Sequence, residues 1–249
     1  MKAFLFVSCI LLASCNNFKS NHPQAEVGSS TPVTETDIRH YADSINASVS
    51  NMDKKVSLVY TLGDYSFYTV QFSYNGIPVL YCEYGTSGEY GSNQHKYYLK
   101  DGHLLLYTEQ KAKIGTIQST NEYFRNDVKF YTESKSADDS ASLAQTAFTK
   151  TSVTNKNYSE DLQKLSDAIG QKGKFQLVFD GITDDPKARY LVLSKSEINS
   201  YRAPLLVKTG DPFIDSLTRY QDSLKGKKLN LKWRIEDSEA IYVSGETMH

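Results

Sequence analysis

The five histidines are the first residues to test for metal or acid–base chemistry. None of them shows a zinc-ligand spacing such as His-Glu-x-x-His. His95 and His103 flank a predicted β-hairpin and could approach each other across it, but two imidazoles without a third ligand are typical of a polar sheet edge. We therefore predict no metal site and no cofactor. The five are His22, His40, His95, His103 and His249.

Carboxylates are concentrated between residues 180 and 186, where the sequence reads Asp-Gly-Ile-Thr-Asp-Asp-Pro. The spacing lacks the alternating acids and the distal glutamate of an EF-hand calcium loop. These residue types favour turns, so a solvated turn is the simpler interpretation. The alternative is a hydrolase site assembled from scattered carboxylates, for which Asp180, Asp184 and Glu83 are the candidates.

The first 14 residues have the pattern of a secretory signal peptide. A single positive charge at Lys2 precedes an apolar stretch that is too short to span a bilayer as a helix. The stretch ends in Leu12-Ala13-Ser14-Cys15, which resembles the lipobox of bacterial lipoproteins, where the cysteine is diacylated and becomes the mature N-terminus. In the alternative interpretation, Cys15 is an ordinary cysteine after an ordinary signal peptide.

The resemblance implies a protein anchored to a membrane through acyl chains, such as palmitate, on Cys15. More than one chain gives stable anchoring, because each buried methylene contributes about 0.8 kcal/mol. Residues 15–34 are polar and without apolar periodicity, which predicts a flexible tether. Asn16, rather than Asp, follows the cysteine and provides no inner-membrane retention signal by the same resemblance. The outer membrane is therefore the expected location in the bacterial envelope, with the leaflet left open.

The remaining cysteines agree with this interpretation. Cys9 leaves with the signal peptide and Cys15 is acylated, so Cys82 has no partner for an intramolecular disulfide. Cys82 lies in a strand-like run without a histidine nearby in sequence. We predict a buried, unreactive thiol rather than a nucleophile.

A helix and then an antiparallel meander are predicted over residues 35–136. Thr34 is a candidate N-cap, and apolar residues follow at helical spacing. Alternating apolar residues from Val56 to Tyr131 then indicate half-buried strands. Asn75-Gly76 and Asp101-Gly102 separate such runs and predict hairpins, because a type I′ turn needs positive φ at both central residues.

Two of the predicted hairpins look like copies of one unit. The segment from Tyr98 to Glu109 is echoed by the segment from Tyr123 to Glu133. Two copies do not make a solenoid, but they support a meander in which each hairpin pairs with the previous one. The pattern resembles the aromatic-rich hairpins of many small bacterial surface lipoproteins of unassigned role.

Tyrosine is concentrated in the same region, and some of these rings must face solvent if one face of the sheet is covered. Two interpretations stay open. Tyrosine suits a pleated surface, with its ring packed and its hydroxyl hydrated. Alternatively, the rings form a ligand platform for a sugar or a peptide.

The C-terminal half is predicted to be a helical connector followed by a small barrel. Helical spacing over residues 137–172 includes Leu143, Ala147 and Phe148. Three predicted strands, a helix over 211–224 and two more strands follow, which is the element order of the OB-fold. Gly226-Lys227-Lys228 also resembles small bacterial lipoproteins whose fourth strand opens in this way.

Four cations on this barrel are the candidate ligand-binding residues. Trp233, the single tryptophan, alternates with apolar neighbours and is predicted to lie in the core. The opposite face of its strand carries Lys232 and Arg234, while Arg202 and Lys208 flank the preceding strand. If the barrel binds an acidic ligand, these four cations contact it; otherwise they form a solvated face.

The overall charge balance excludes one class of partner. The chain has 28 Lys+Arg against 29 Asp+Glu and a formal net charge of −1. No basic field is available to hold a phosphate backbone by counterion release. We therefore predict no nucleic-acid binding.

Together these features predict an α+β protein with an N-terminal helix and meander, a helical connector and a C-terminal five-stranded OB-like barrel. The predicted divisions are 1–14, 15–34, 35–136, 137–172 and 173–249. We predict a non-catalytic lipid-anchored envelope protein whose β-rich domains bind a small ligand or a partner protein. An envelope hydrolase with a carboxylate-based site is the alternative.

Overall fold

A computed structural model describes residues 33–154, 156–185 and 188–247, and Val33–His249 form one compact unit. The predicted signal peptide, Cys15 and nearly all of the predicted tether lie outside the described residues. Within these ranges the fold is α+β, and the strands form two sheets, one of nine strands and one of five. No helix in this part of the chain is both long and apolar enough to cross a bilayer.

The helices are α1 (Glu35–Ser48), α2 (Ser140–Gln145), α3 (Ser159–Gly170), α4 (Pro212–Arg219) and α5 (Gln221–Leu224). The strands are β1 (Asp53–Val56), β2 (Tyr60–Leu62), β3 (Tyr65–Tyr74), β4 (Ile77–Thr86), β5 (Ser92–Lys100), β6 (His103–Lys113), β7 (Thr116–Arg125), β8 (Val128–Ala137), β9 (Thr149–Lys150), β10 (Val178–Asp185), β11 (Ala188–Ser194), β12 (Ala203–Leu206), β13 (Leu229–Glu236) and β14 (Glu239–Thr247).

The predicted N-terminal helix is confirmed as α1. Thr34 caps it in a capping box, in which its side chain accepts a hydrogen bond from the backbone of Asp37 and the Asp37 carboxylate accepts one in return. One stripe of the helix, Ile38, Ala42 and Ile45, is buried against the large sheet. This burial positions α1 over one face of the sheet, because an amphipathic helix must cover its apolar stripe.

The predicted antiparallel meander is confirmed as the large sheet. Its strand order is β1-β3-β4-β5-β6-β7-β8-β9, and β2 pairs with β3. Side chains alternate between two faces, which we name by the helix that covers each. The α1 face has a core of Val70, Leu80, Cys82, Tyr98, Leu106 and Tyr123. The α3 face has a core of Tyr81, Tyr97, Leu99, Leu104, Tyr107 and Phe124, which packs against Tyr158 and Leu165.

Three successive hairpins of this sheet share one construction. Their turns at Asn75-Gly76, Asp101-Gly102 and Asn126-Asp127 have positive φ at both central residues, as type I′ turns require. In each hairpin the pairing register shifts by one residue at the same distance before the turn. The shifts lie between Phe72 and Ser73, between Tyr98 and Leu99, and between Tyr123 and Phe124. The predicted repeat is therefore present in the structure, and β3–β4 is a third copy that the sequence comparison missed.

The first predicted strand and the predicted connector are both interrupted. The alternating run from Val56 to Leu62 divides into β1 and β2, because Ser57 leaves the sheet register and bonds to Thr69 instead. In the connector, α2 ends at Gln145, since the next residue takes extended backbone angles, and Thr149–Lys150 then pairs with β8. The expected helical role of Ala147 and Phe148 is therefore wrong.

The second sheet has the order β10-β11-β12-β14-β13, with β12 and β14 parallel. The predicted helix over 211–224 is present as α4 and α5, with Asp211 as the N-cap and Pro212 as the first helical residue. Ile214 and Leu217 of α4 are fully buried in the core of this sheet. The described strands form an open sheet rather than a closed barrel, so the OB-like identity and the domain boundaries stay predictions.

The core of the small sheet extends into the large one. Leu58, Tyr60 and Phe67 belong to the same buried cluster as Phe175 and Leu205. The backbones also join, since Thr61 and Arg202 exchange hydrogen bonds. The small sheet is thereby held against β2 and β3 of the large sheet, which brings the β13–β14 turn next to the α1 face.

Candidate ligand-binding groove

Four strands of the large sheet align one row of polar and aromatic side chains on the α1 face. The register pairs Tyr68 with Tyr84, Tyr84 with Gln94, and Gln94 with Gln110. Because side chains at directly paired positions lie on the same face, the row runs across β3, β4, β5 and β6. Helix α1 covers the opposite end of this face, so the row is left open.

The row forms the floor of a groove of about 560 Å³, which we call the tyrosine groove. This volume is within the range of small-molecule sites, about 300–1,000 Å³. A parallel row of small polar residues continues the floor, and the β13–β14 turn closes one side. The residues that line the groove are Val59, Ser66, Phe67, Tyr68, Tyr84, Gly85, Thr86, Ser92, Asn93, Gln94, Gln110, Ala112, Asp237 and Ser238.

Tyr68 and Tyr84 stack at the centre of the groove. Their ring centroids are 4.9 Å apart and their planes are inclined by 17°. Ser238 lies beside the Tyr68 hydroxyl, and Gln94 lies beside the Tyr84 hydroxyl. Burial raises the pKa of Tyr84 to about 12, so its hydroxyl stays neutral at ordinary pH.

A glycine in β4 allows two polar side chains of the α3 face to approach each other. A Cβ atom at Gly85 would lie 2.2 Å from the Tyr65 hydroxyl oxygen and 2.3 Å from Oδ1 of Asn93. The two polar groups approach each other over this glycine, and the Tyr65 hydroxyl also lies 3.3 Å from Oε1 of Glu83. Asn93 therefore connects the groove to a charged cluster on the α3 face.

That cluster is a row of three paired residues with a histidine at its centre. Nδ1 of His95 lies 3.5 Å from Oε1 of Glu83, and Nε2 lies 3.2 Å from Oε1 of Glu109. Lys164 of α3 and Lys111 of β6 add ion pairs to the two carboxylates at 2.8 Å and 2.9 Å. The arrangement neutralises its own charges.

The pKa directions describe an ion-pair network rather than an acid–base catalyst. Burial opposes ionisation of Glu109, but His95 and Lys111 outweigh it and lower the pKa of Glu109 to about 2. The pKa of Glu83 is lowered in the same way by His95 and Lys164. Burial favours neutral His95, yet the two carboxylates raise its pKa. A general acid of the glycosidase kind needs a raised carboxyl pKa instead.

The predicted carboxylate site is not assembled around Glu83. Asp180 belongs to the small sheet, at a β-bulge, and its carboxylate is 2.9 Å from Nζ of Lys225 and 3.2 Å from Nη2 of Arg202. The pKa of Asp180 is lowered, chiefly by its hydrogen bond with Lys225. Burial acts in the opposite direction, but Ser194 and Arg202 also lower the pKa. The side chain of Asp184 lies outside the described residues.

The structure separates the four predicted cations. Arg202 pairs with Asp180, whereas Lys208 and Arg234 both pair with Glu236. Lys232 is exposed on β13. An acidic ligand held by all four together is therefore not supported, although Arg234 also lines a cavity described below.

Three further expectations concern single residues. His95 and His103 lie at opposite ends of the β5–β6 hairpin, and His103 pairs with Asp127, so they do not form a joint site. Cys82 is buried, and burial raises the pKa of its thiol to about 11. Trp233 is half-buried at the margin of the core rather than inside it, although β13 keeps its alternation there; the β-bulge beside it adds an extra residue, Val243, to β14.

No protein-family model matches this chain, and no curated protein and no solved structure is significantly similar to it. A function for the protein therefore has to come from its own geometry.

The tyrosine-rich platform was one of two interpretations of the sequence, and the residues that form the groove were not among the predicted ligand-binding residues. The positions of two glutamines in the sequence do indicate the groove. Gln94 and Gln110 stand at alternating positions with Tyr98 and Leu106, so they share a sheet face with core residues while being polar themselves. What the sequence could not give is the approach of Asp237 and Ser238, which lie more than 120 residues further along the chain.

Proposed function

We propose that this chain is a non-catalytic, lipid-anchored protein of the bacterial envelope that binds an uncharged saccharide in the tyrosine groove. One observation carries the ligand class. A stacked tyrosine pair is surrounded by amide and hydroxyl side chains, and among the groove residues Asp237 is the one with a formal charge.

Saccharides present alternating C–H faces and hydroxyl groups. Aromatic rings pack against the C–H faces, and Gln and Asn side chains supply both donors and acceptors for the hydroxyls. Gln94 and Gln110 stand next to each other beside the ring pair, at neighbouring paired positions of β5 and β6. An anionic ligand would find no cation in this lining and would lose its hydration at a considerable cost.

The anchor is the second part of the proposal, and it rests on the lipobox Leu12-Ala13-Ser14-Cys15. The described fold begins with α1, whose N-cap is Thr34. Residues 15–34 would then give the groove freedom to reach ligands away from the membrane surface. We propose the outer membrane as the site of anchoring.

We also propose that the small sheet is an OB-like barrel that is open along one side. Its third and fifth strands are parallel neighbours, and α4 lies between the third and fourth strands along the chain. Across the open side, Phe179 exchanges hydrogen bonds with the backbone of Gly226 and Lys227. In this proposal the barrel serves to present the Asp237-Ser238 turn to the groove.

The hydrolase alternative has less support. Glu83 and Asp180 lie in separate ion-pair clusters, and both have lowered pKa values. A lowered pKa is unsuited to a general acid near neutral pH. The binding function is therefore preferred.

The ligand class is tested with a panel of neutral and acidic oligosaccharides, including maltooligosaccharides, mannans, β-glucans and uronic-acid oligomers. We expect saturable binding of a neutral member and at least tenfold weaker binding by the Tyr84→Ala and Gln94→Ala variants. Gln118→Ala is the matched control, because Gln118 is exposed on β7 and paired with Lys111 on the α3 face. Binding confined to acidic members, or equal loss in the control, would reject the saccharide proposal.

The anchor is tested separately by membrane fractionation and protease shaving of intact cells. We expect the wild-type chain to sediment with the outer membrane and the Cys15→Ala variant to be released. If both chains sediment alike, the lipoprotein proposal is wrong. The groove proposal is tested independently, by the oligosaccharide panel.

A further inference from the structure

A second cavity lies on the other side of the Tyr68–Tyr84 pair. It has a volume of about 440 Å³ and is separated from the tyrosine groove by the two rings, which line both. Because Trp233 lines it as well, we call it the tryptophan cavity. Its lining is formed by Lys54, Val56, Tyr68, Val70, Phe72, Tyr84, Trp233, Arg234 and Ile235.

Apolar side chains from both sheets supply much of the wall of this cavity. Val56, Val70 and Phe72 belong to or pack against the core under α1, whereas Trp233 and Ile235 pack against the core of the small sheet. The cavity therefore lies where the two cores meet. Trp233 is held in place, since its Nε1 donates a hydrogen bond to the backbone oxygen of Ser57 at 3.0 Å.

The charged groups of the cavity are cations. Lys54 is exposed on β1, opposite Phe72, and makes no ion pair with a described residue. Arg234 is 56% exposed and shares the carboxylate of Glu236 with Lys208. The pKa of Glu236 is lowered by its two cations, Lys208 first and then Arg234, so its carboxylate stays ionised. Lys54, Lys208 and Arg234 thus outnumber the single carboxylate of Glu236, which leaves an excess of positive charge beside the cavity.

We infer that the tryptophan cavity binds a long-chain carboxylate, with its alkyl chain against Trp233 and Phe72 and its carboxylate on Lys54 and Arg234. An apolar pocket with a few convergent charged groups is the usual form of a site for an amphiphile. The guanidinium of Arg234 retains donors beyond those used by Glu236, and a guanidinium suits the planar geometry of a carboxylate. The inference goes beyond the saccharide proposal and does not depend on it.

The chain provides its own probe for this site, because Trp233 is its single tryptophan. Dodecanoate is titrated against the Cys15→Ala chain, so that no acyl chain of the protein competes, and Trp233 emission is recorded. We expect a saturable change in emission. Dodecanol, which has the same chain without the charge, should bind at least tenfold more weakly.

Substitutions identify the charged partners. We expect Lys54→Gln and Arg234→Gln each to weaken dodecanoate binding about five- to tenfold without affecting dodecanol. Lys55→Gln is the matched control, since Lys55 is the next residue of β1, is exposed and pairs with Gln71, which lies on the α3 face. Gln94→Ala should leave dodecanoate binding unchanged, which separates this site from the tyrosine groove.

Three results would overturn the inference. They are the absence of a saturable emission change, equal binding of dodecanol and dodecanoate, and equal losses in the Lys54→Gln and Lys55→Gln variants. A neutral oligosaccharide that displaces dodecanoate and loses affinity in Lys54→Gln would instead assign both cavities to one extended saccharide.

Discussion

Lys164 of α3 donates a hydrogen bond to Oε2 of Glu83 in β4 at 2.8 Å, and its ammonium group lies 4.1 Å from the centroid of the Phe67 ring. The carboxylate it contacts is 5% exposed. A buried carboxylate needs compensating partners, because water no longer solvates it. This contact therefore links the placement of α3 to the charge state of the sheet beneath it.

Lys164→Met keeps the length of the side chain but removes its charge. We expect it to lower the free energy of unfolding by about 2 kcal/mol, since Glu83 loses a charged partner. Urea unfolding monitored by circular dichroism measures the change. Lys172→Met, at an exposed lysine just after α3, is the control and should change stability by less than about 0.5 kcal/mol. Equal effects of the two substitutions would contradict a specific role for Lys164.

The His95 cluster predicts a particular dependence of stability on pH. The raised pKa of His95 gives a contribution that is complete below the unfolded value of about 6.5 and is lost as pH rises through the folded value. The lowered pKa values of Glu83 and Glu109 give contributions that are present above about 4.5 and lost on acidification. The cluster should therefore contribute most between roughly pH 5 and 6.5.

The measurement compares wild type with His95→Gln by urea unfolding at pH 6 and pH 8.5. We expect the stability difference between the two chains to shrink at the higher pH, because the contribution of the imidazolium is lost as pH rises through the raised pKa of His95. Groups other than His95 cancel in this comparison. A difference that is the same at both pH values would show that the imidazolium charge contributes nothing.

Arg39 is predicted to hold α1 on the sheet through Glu133. Its Nη2 is 2.9 Å from Oε2 of Glu133, and its Nε donates to the Tyr123 hydroxyl at 2.7 Å. Glu133 is buried and also accepts hydrogen bonds from Asn121 and Tyr123. We expect Arg39→Met to cost about 2 kcal/mol of unfolding free energy.

A double-mutant cycle with Glu133→Gln tests whether this cost is due to the pair. The coupling energy between the two positions should be about 1–3 kcal/mol, in the range found for residues in direct contact. Additive effects would mean that Arg39 acts through its packing on Tyr123 alone.

Gly85→Ala is predicted to be destabilising although the backbone there is extended. The new Cβ would meet the Tyr65 hydroxyl and Asn93, and one of them has to move. We expect a loss of about 1–3 kcal/mol, as for other overpacked sites. Gly210→Ala is the control, because its Cβ would meet nothing within 4 Å. Thermal unfolding of the two variants side by side decides the point, and a stable Gly85→Ala chain would contradict the close approach.

The elements that local sequence determines were the ones that could be predicted. The capping box at Thr34 and the paired turn residues Asn75-Gly76 and Asp101-Gly102 act within a few residues, and they fixed α1 and two hairpins. The bulge beside Trp233 and the short α2 depend on tertiary contacts, which periodicity does not report. For that reason Ala147 and Phe148 were expected in a helix.

The candidate sites were harder to predict for the same reason. Tyr68, Tyr84 and Gln94 come together through strand register, which the alternation pattern does contain. Their meeting with Ser238 depends on how the small sheet packs against β3, a contact between distant parts of the chain. Arg234 was predicted as a ligand-binding residue from its charge. Lys54, which lines the same cavity, has no feature in its local sequence that indicates a site.

The shared construction of the three hairpins has a consequence for how such a sheet can change in size. Each unit has its own turn and its own register shift, so the pairing within each hairpin is determined by residues of that hairpin. The tyrosine groove draws its sheet residues from β3 to β6 only. A duplication or loss of a hairpin such as β7–β8 would widen or narrow the sheet by about 10 Å, given strands about 4.8 Å apart, without rebuilding the groove. The width of the sheet is thus a modular property that can vary independently of binding.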